Sequence, residues 1–228
     1  EKIYQNLIYA YKIFKKFRFP FEIILIDDGS TDNTKDMVLK AAAEHSEIKL
    51  VSNINNIGKG FALKNGFSNA TGDIIVFLDS DLENHPFQIG KMFKAMRDNN
   101  ADIVVGTRRH KDSKVKYTLQ RKILSLGYYL MIKFLFNLNI TDTQAGIKVF
   151  KRVVLENIFP KILCKKYAFD IEILALAAQK KFKIIEVPTT YIFSRGNSLG
   201  RIKTKDVFNM GLDTLAIFYR IKILQHYE

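Results

Sequence analysis

Residues 73–86 read Asp73-Ile-Ile-Val-Phe-Leu-Asp79-Ser80-Asp81-Leu-Glu83-Asn-His-Pro86. An apolar run of this length that ends in acid predicts a strand buried on both faces and stopping at a carboxylate. Asp79 and Asp81 stand one residue apart at its end, so strand alternation aims both side chains the same way. Two carboxylates converging on a small volume suit a hard divalent cation such as Mg²⁺ or Mn²⁺, which adds ligand phosphates and water to its shell. The plainer alternative is a solvated turn that caps the next helix.

The same pattern repeats outward. Phe21–Asp27 is an apolar run that ends in Asp27-Asp28-Gly29-Ser30, and Ile48–Val51 and Ala101–Gly106 are further short strands. Between them, apolar spacing predicts helices over 2–17, from a Ser30 or Thr31 cap to about His45, out of a loop at 58–70, and over 86–99. Short apolar strands separated by helices predict an α/β fold with a mostly parallel sheet covered on both faces. Ligands of such sheets collect at the carboxyl ends of the strands, where these acids lie. Asp28 can accept from a base or ribose hydroxyls, or close an Asx turn. Gly58-Lys59-Gly60 offers a permissive backbone and a cation that can approach a nucleotide phosphate, or simply leads a helix.

After Thr107 the character changes. Residues 107–122 hold seven Lys/Arg and one Asp, and Ile123–Leu138 follows with 12 apolar residues of 16, interrupted by Lys133. At about 1.5 Å per residue this segment is too short for a hydrocarbon core of roughly 30 Å, so no membrane span is expected. It reads either as a core helix or as a helix lying in a membrane interface. A polar loop at 141–146, a strand near 147–150, helices near 151–158 and 169–180, a strand pair at 183–193 broken at Pro188, a basic loop at 195–205 and a terminal helix complete the chain.

Composition sets outer limits. The chain has 228 residues, 47% of them apolar, and Lys+Arg exceed Asp+Glu by 36 to 23, a net charge of +13. That fits one domain with a sizeable core and a surface that attracts polyanions. One cysteine, Cys164, excludes an internal disulfide and a multi-cysteine zinc site. No Walker or dinucleotide glycine motif is present. Trp is absent and no helix-turn-helix or aromatic RNA-binding signature is found. A nucleic-acid-binding module would account for the charge but not for acids gathered at strand ends, so nucleic acid is not an expected partner. His45, His85, His110 and His226 read as surface residues.

Taken together, DDGSTDNT (27–34), NIGKGFALKNG (56–66), DIIVFLDSDLENHP (73–86), VVGTRR (104–109), DTQAGIKVFKR (142–152), YAFDIEILALA (167–177) and EVPTTY (186–191) resemble the family 2 glycosyltransferases of GT-A fold. The resemblance is closest to the polyprenyl-phosphate sugar synthases. The 142–152 run with Ala168-Phe169-Asp170 looks more like the dolichyl-phosphate glucose branch than the mannose branch.

The resemblance implies a single GT-A domain over 1–228, with a nucleotide-sugar half (1–106) and an acceptor half (107–228) carrying an interfacial helix near 117–138. It implies a metal-dependent, inverting transfer of a hexose from a nucleotide diphosphate sugar (UDP-glucose favoured, GDP-mannose possible) to polyprenyl or dolichyl phosphate. Such a protein would be peripheral, on the cytoplasmic face of an anionic membrane. By position, Asp27, Asp28, Lys59 and Asp79 would meet the nucleotide, and Asp79, Asp81 and Glu83 the Mg²⁺ or Mn²⁺. Relatives often have Gln where this chain has Glu83. Arg108, Arg121 and Ser125 would face phosphates, and Arg195, Ser198 and Arg201 lie in a basic loop that closes over the site. Asp142, Thr143 and Gln144 would form the acceptor-side loop, with Asp142 either a base or an orienting group. The family's first strand would precede residue 1, so the sequence is expected to lack a central strand and part of the base pocket. Rival readings are a GT-A transferase with a glycan or protein acceptor, and an inactive scaffold of the same fold.

Overall fold

The strand that ends at Asp79 pairs with neither of the strands flanking it in sequence. The computed structural model describes residues 1–113, 119–191 and 204–227. Its elements run α1 (Lys2–Lys15), β1 (Ile23–Asp28), α2 (Thr34–Glu44), β2 (Ile48–Asn53), α3 (Lys59–Ser68), β3 (Ile74–Leu78), α4 (Gln88–Asp98), β4 (Ile103–Thr107), α5 (Leu119–Phe136), β5 (Ile147–Lys151), α6 (Arg152–Ile158), α7 (Phe169–Gln179), β6 (Ile184–Pro188) and α8 (Thr204–Lys222).

β1 and β2 pair in parallel, Ile23 opposite Ile48 through Asp28 opposite Asn53. The other four strands form a second sheet in the order β3-β5-β4-β6. There β4 and β6 are parallel, while β5 runs antiparallel to both β3 and β4. The α/β class holds, but the sheet is mixed where a mostly parallel one is expected. The cause is β5: it enters from the 141–146 loop and inserts between β3 and β4, with Leu78 opposite Ile147. Because β5 is reversed, the loop before it lies at the same edge as the carboxyl ends of β3, β4 and β6.

Every residue of β4 is buried, as its Ile-Val-Val-Gly-Thr run requires. Helix α7 is buried continuously from Phe169 to Ala177, the behaviour of a helix apolar on all sides. It packs with α5, α6 and α8 on one face of the second sheet, while Ile89, Met92 and Met96 of α4 cover the other. A third cluster, with Leu7, Tyr11, Val38 and Ile48, joins α1 and α2 to the β1–β2 pair. Between β1 and β3 the two sheets stand apart, with Ile24, Ile26, Ile75 and Phe77 along the gap and Lys59 and Asp79 at its polar end. Glu22 spans this gap at the opposite end. It accepts hydrogen bonds from Thr71 N (2.6 Å), Thr71 Oγ1 (2.8 Å) and Lys49 Nζ (2.9 Å).

Two local expectations are corrected. Helix α2 begins at Thr34, with no side-chain cap from Ser30 or Thr31. Instead Asp27 Oδ1 accepts from Ser30 N and Asp32 Oδ1 from Thr34 N, each at 3.0 Å, so consecutive Asx turns delay the helix. Among the described residues, the strand pair expected at 183–193 is a strand ending at Pro188, followed by an antiparallel bridge between Asn84 and Tyr191. Residues 192 and 193 lie outside the described residues.

Helices α5 and α8 pack together through Tyr128 Oη and Thr214 Oγ1 (3.0 Å) and through the rings of Phe136 and Phe218. Each also presents an apolar stripe to the exterior: Ile123, Leu126, Leu130 and Phe134 on α5, and Phe208, Leu212, Leu215 and Tyr219 on α8. Phe134 is 88% exposed, far beyond what an incompletely covered core leaves. Among the described residues, no helix is long and apolar enough to cross a membrane.

Candidate active site

The acids at the ends of β1 and β3 are engaged in different ways. Asp28 accepts from Asn53 Nδ2 (2.8 Å), Ile57 N (3.1 Å) and Gly58 N (2.8 Å). Burial raises its pKa, but these three donors outweigh burial and hold the carboxyl below the ordinary range. Gly58 has φ of +120°, and a Cβ there would fall 2.5 Å from Lys165 O, so only glycine delivers the following lysine. Asp27 is buried and spent on the Ser30 turn.

Lys59, next in the chain, places Nζ 2.6 Å from Asp79 Oδ1, with both side chains a little over a third exposed. Burial by itself would lower the ammonium pKa. The charges of Asp79, Asp170 and Asp81, with the hydrogen bond to Asp79, overcome this and raise it. Asp81 adds to this field from the turn beyond the strand end; β3 stops at Leu78, so strand alternation does not extend to it. Asp79 N also donates to Gly146 O at 3.2 Å. A Cβ on Gly146 would come within 2.0 Å of Asp79 Oδ2, so the glycine makes room for the carboxylate.

Asp81 and Glu83 are half-buried in the turn that follows, where Asp81 Oδ1 accepts from Glu83 N at 3.2 Å. Tyr191 Oη donates to Glu83 Oε2, and burial followed by this bond raises the tyrosine pKa. Among the described residues, no three His, Cys, Asp or Glu side chains converge as a metal cage. The donors of Asp79, Asp81 and Glu83 are hard oxygens, and a cation that keeps several waters and phosphates needs only one or two of them. The set fits Mg²⁺ or Mn²⁺ in that manner.

The acceptor-side residues form a second, drier group. Arg108 Nε and a terminal nitrogen meet the two oxygens of Asp142 at 2.6 and 2.7 Å, and Arg108 N adds a third bond at 3.0 Å. Asp142 is 6% exposed. Burial pushes its carboxyl up, and Arg108 pulls it well below the usual range. Glu186 of β6 accepts from the backbone of Thr141 and Asp142, both at 2.9 Å, fixing that loop. The Arg108 guanidinium also lies 5.7 Å from the Tyr191 ring centroid. Both Asp142 and Arg108 are thus engaged with each other rather than standing open to a phosphate.

Ser125 Oγ accepts from Arg109 at 2.7 Å, and Arg109 stacks 4.9 Å from the Tyr129 ring. Thr143 is buried, and Gln144 Nε2 reaches Tyr167 O at 3.4 Å. The side chain of Arg121 and all of Arg195, Ser198 and Arg201 lie outside the described residues. His85, expected at the surface, is half-buried and bonded to Tyr9 Oη at 2.6 Å. His45 is half-buried too, stacked 4.0 Å from Tyr11.

Several participants carried no sequence signal of their own. Lys148 Nζ and Asp170 Oδ1 form a buried pair at 2.7 Å, and the Asp170 charge reaches Lys59. Glu172, fully buried, accepts from Leu163 N, Cys164 N, Arg220 and Tyr227, tying α7 to α8. Cys164 beside it is buried, which pushes its thiol up to about 11 and leaves it inert.

Known proteins are similar to this chain in sequence and in fold. A dolichyl-phosphate beta-glucosyltransferase of Trichomonas vaginalis is 33% identical over 92% of this chain and 66% of its own length. A protein of the same description from Dictyostelium discoideum is 32% identical over 90% of the chain and 65% of its own length. The chain thus spans slightly less than two thirds of these curated relatives. Among solved structures, mannosyl-3-phosphoglycerate synthase of Rubrobacter xylanophilus superposes with TM-score 0.71 at 16% identity, over 100% of this chain and 72% of that one. Mycobacterium tuberculosis glucosyl-3-phosphoglycerate synthase, in complex with Mn²⁺, UDP and glucosyl-3-phosphoglycerate, gives 0.63 at 19% identity, over 87% and 67%. These likenesses establish the GT-A fold. Residues 6–159, more than half of the sequence, match the profile described as glycosyl transferase family 2, and the chain belongs to that family.

Proposed function

We propose that this protein moves glucose from UDP-glucose to dolichyl or polyprenyl phosphate at a membrane surface, with inversion at the anomeric carbon. The carrying observation is the 2.6 Å pairing of Lys59 with Asp79 at the carboxyl end of β3, two residues before Asp81. A cluster of matched charges at a strand end, with a positive end for a diphosphate and acids for a cation, is the layout a nucleotide-sugar donor requires. The names of the relatives support glucose as the sugar and dolichyl phosphate as the acceptor. The Mn²⁺ and UDP held by the Mycobacterium enzyme support a divalent ion and a uridine donor.

Asp81 and Glu83, with Asp79, are the residues to hold Mg²⁺ or Mn²⁺. When bound, the ion supplies neutralisation of the charge that builds on the departing nucleoside diphosphate. Lys59 contributes to the same neutralisation from the protein. The acceptor phosphate is already anionic near neutral pH, so its oxygen attacks without a strong base. Asp142, held ionised by Arg108, serves to orient the acceptor-side loop, and Arg108 reaches Tyr191 and through it Glu83 on the donor side.

The apolar stripes of α5 and α8, with a net charge of +13, support peripheral attachment to an anionic bilayer. The test is transfer of labelled glucose from UDP-glucose to a short polyprenyl phosphate with Mn²⁺, beside GDP-mannose and acceptor-free controls. Labelled polyprenyl product from UDP-glucose is expected. Turnover on a glycan or protein acceptor alone contradicts the lipid assignment.

A further inference from the structure

Asn84 follows the Asp79–Glu83 turn and is 1% exposed. Among the described residues, neither its Nδ2 nor its Oδ1 has a hydrogen-bond partner. A buried amide in that condition is uncommon, because it has left water and gained nothing in exchange. The backbone prevents it from turning outward. Asn84 bridges Tyr191, and the Gln88 carboxamide exchanges two hydrogen bonds with the Thr190 backbone, at 2.9 and 2.6 Å. Residues 83–88 are thereby clamped along 190–191, with the amide held inward.

It is held toward Asp79. A Cβ on Gly146 would lie 2.0 Å from Asp79 Oδ2 and 3.0 Å from Asn84 Nδ2, so both atoms border one small space that glycine leaves open. The other oxygen of Asp79, Oδ1, is the one bound by Lys59.

We propose that Asn84 is a positioning residue for Asp79, donating from Nδ2 to Oδ2 once an incoming diphosphate draws the Lys59 ammonium away from Oδ1. This rests on the nucleotide-sugar reading given above. Without donor, Lys59 neutralises and orients Asp79, and the amide is idle. With donor, Lys59 turns to phosphate and frees Oδ1 of Asp79 for the cation. A donor already clamped beside Oδ2 then keeps the carboxylate in place. No covalent step is involved.

The proposal makes an expectation that a structural asparagine would not meet. Asn84→Leu keeps the branched outline of the side chain and removes two unsatisfied polar atoms, which offsets the strain of its bulkier methyls, so the ligand-free melting point should stay within about 5 °C of wild type. Affinity for UDP with Mn²⁺, read by calorimetric titration, should fall about tenfold or more, the worth of a hydrogen bond to a charged group. In turnover, kcat should fall with the acceptor KM unchanged. Unchanged UDP affinity in the folded variant overturns the proposal. Should Asn84→Leu fail to fold, Asn84→Asp decides. That variant is isosteric and replaces the donor with a second acid, so it must bind UDP–Mn²⁺ at least about tenfold more weakly, and equal affinity overturns the proposal. Wild type that does not bind UDP with Mn²⁺ removes the donor reading and this inference together. Wild-type binding with unaffected variants removes this inference alone.

Discussion

Lys59 Nζ lies 2.6 Å from Asp79 Oδ1, and the residue before Lys59 is held by Asp28 through a 2.8 Å bond to Gly58 N. The two acidic strand ends thus divide the work. Asp28 positions the loop, the loop delivers the lysine, and the lysine holds the Asp79 carboxylate whose neighbour is Asp81.

Gly146→Ala tests how closely that carboxylate is packed. The added methyl would sit 2.0 Å from Asp79 Oδ2 and 2.9 Å from its Cγ. Asp79 must swing out or the β5 entry must shift. The expected outcome is loss of at least about 90% of transfer activity, with a stability cost of about 1–3 kcal/mol by chemical denaturation.

Arg108→Ala leaves Asp142 as a buried, unpaired charge. The expected cost is about 3–5 kcal/mol in denaturant unfolding at pH 7. Arg108→Lys should recover only part of it, because a single ammonium cannot reproduce the two-oxygen contact. Full recovery by lysine would show that the planar geometry has no role.

The pH dependence of stability tests the Glu22 clamp between β1 and the Thr71 turn. Burial pushes this carboxyl up, but the Thr71 and Lys49 contacts hold it at about 2, against an ordinary 4.5. A lowered folded pKa means the contribution is fully present above about pH 4.5 and is lost as pH falls through about 2. The difference in unfolding free energy between wild type and Glu22→Gln should therefore be constant from pH 5 to 8 and shrink below pH 4.

Phe134→Asp places a charge in the middle of the exposed α5 stripe, on a side chain 88% exposed. Folding should be unaffected, with a melting point within about 2 °C of wild type, as for exposed substitutions generally. Sedimentation with vesicles containing phosphatidylserine should drop several-fold. Equal sedimentation of the variant would remove α5 from the membrane contact.

Much of this was legible in the residues. The acid-terminated apolar runs located β1 and β3 within two residues, but strand alternation does not carry to Asp81, which lies in the turn after β3. The reversal of β5 was not legible, because pairing direction leaves no mark on composition. The commitment of Arg108 to Asp142 was also hidden, since those residues are 34 apart in sequence and meet only through β4 and β5. Asn84 gave no signal at all. An asparagine in a polar turn is ordinary until the bridge to Tyr191 turns it inward. The second apolar stripe, on α8, was concealed by an amphipathic pattern that usually faces a core.

The central claim is that the Asp79–Asp81–Lys59 cluster takes a nucleoside diphosphate together with a divalent ion. Calorimetric titration of UDP into wild type and Asp81→Asn, each with Mn²⁺ and with chelator, tests it directly. The account predicts binding by wild type in Mn²⁺, a loss of about tenfold or more in chelator, and the same loss in Asp81→Asn even with Mn²⁺ present, as expected when a charged partner is removed. Wild-type affinity indifferent to the metal, or retained in full by Asp81→Asn, contradicts it.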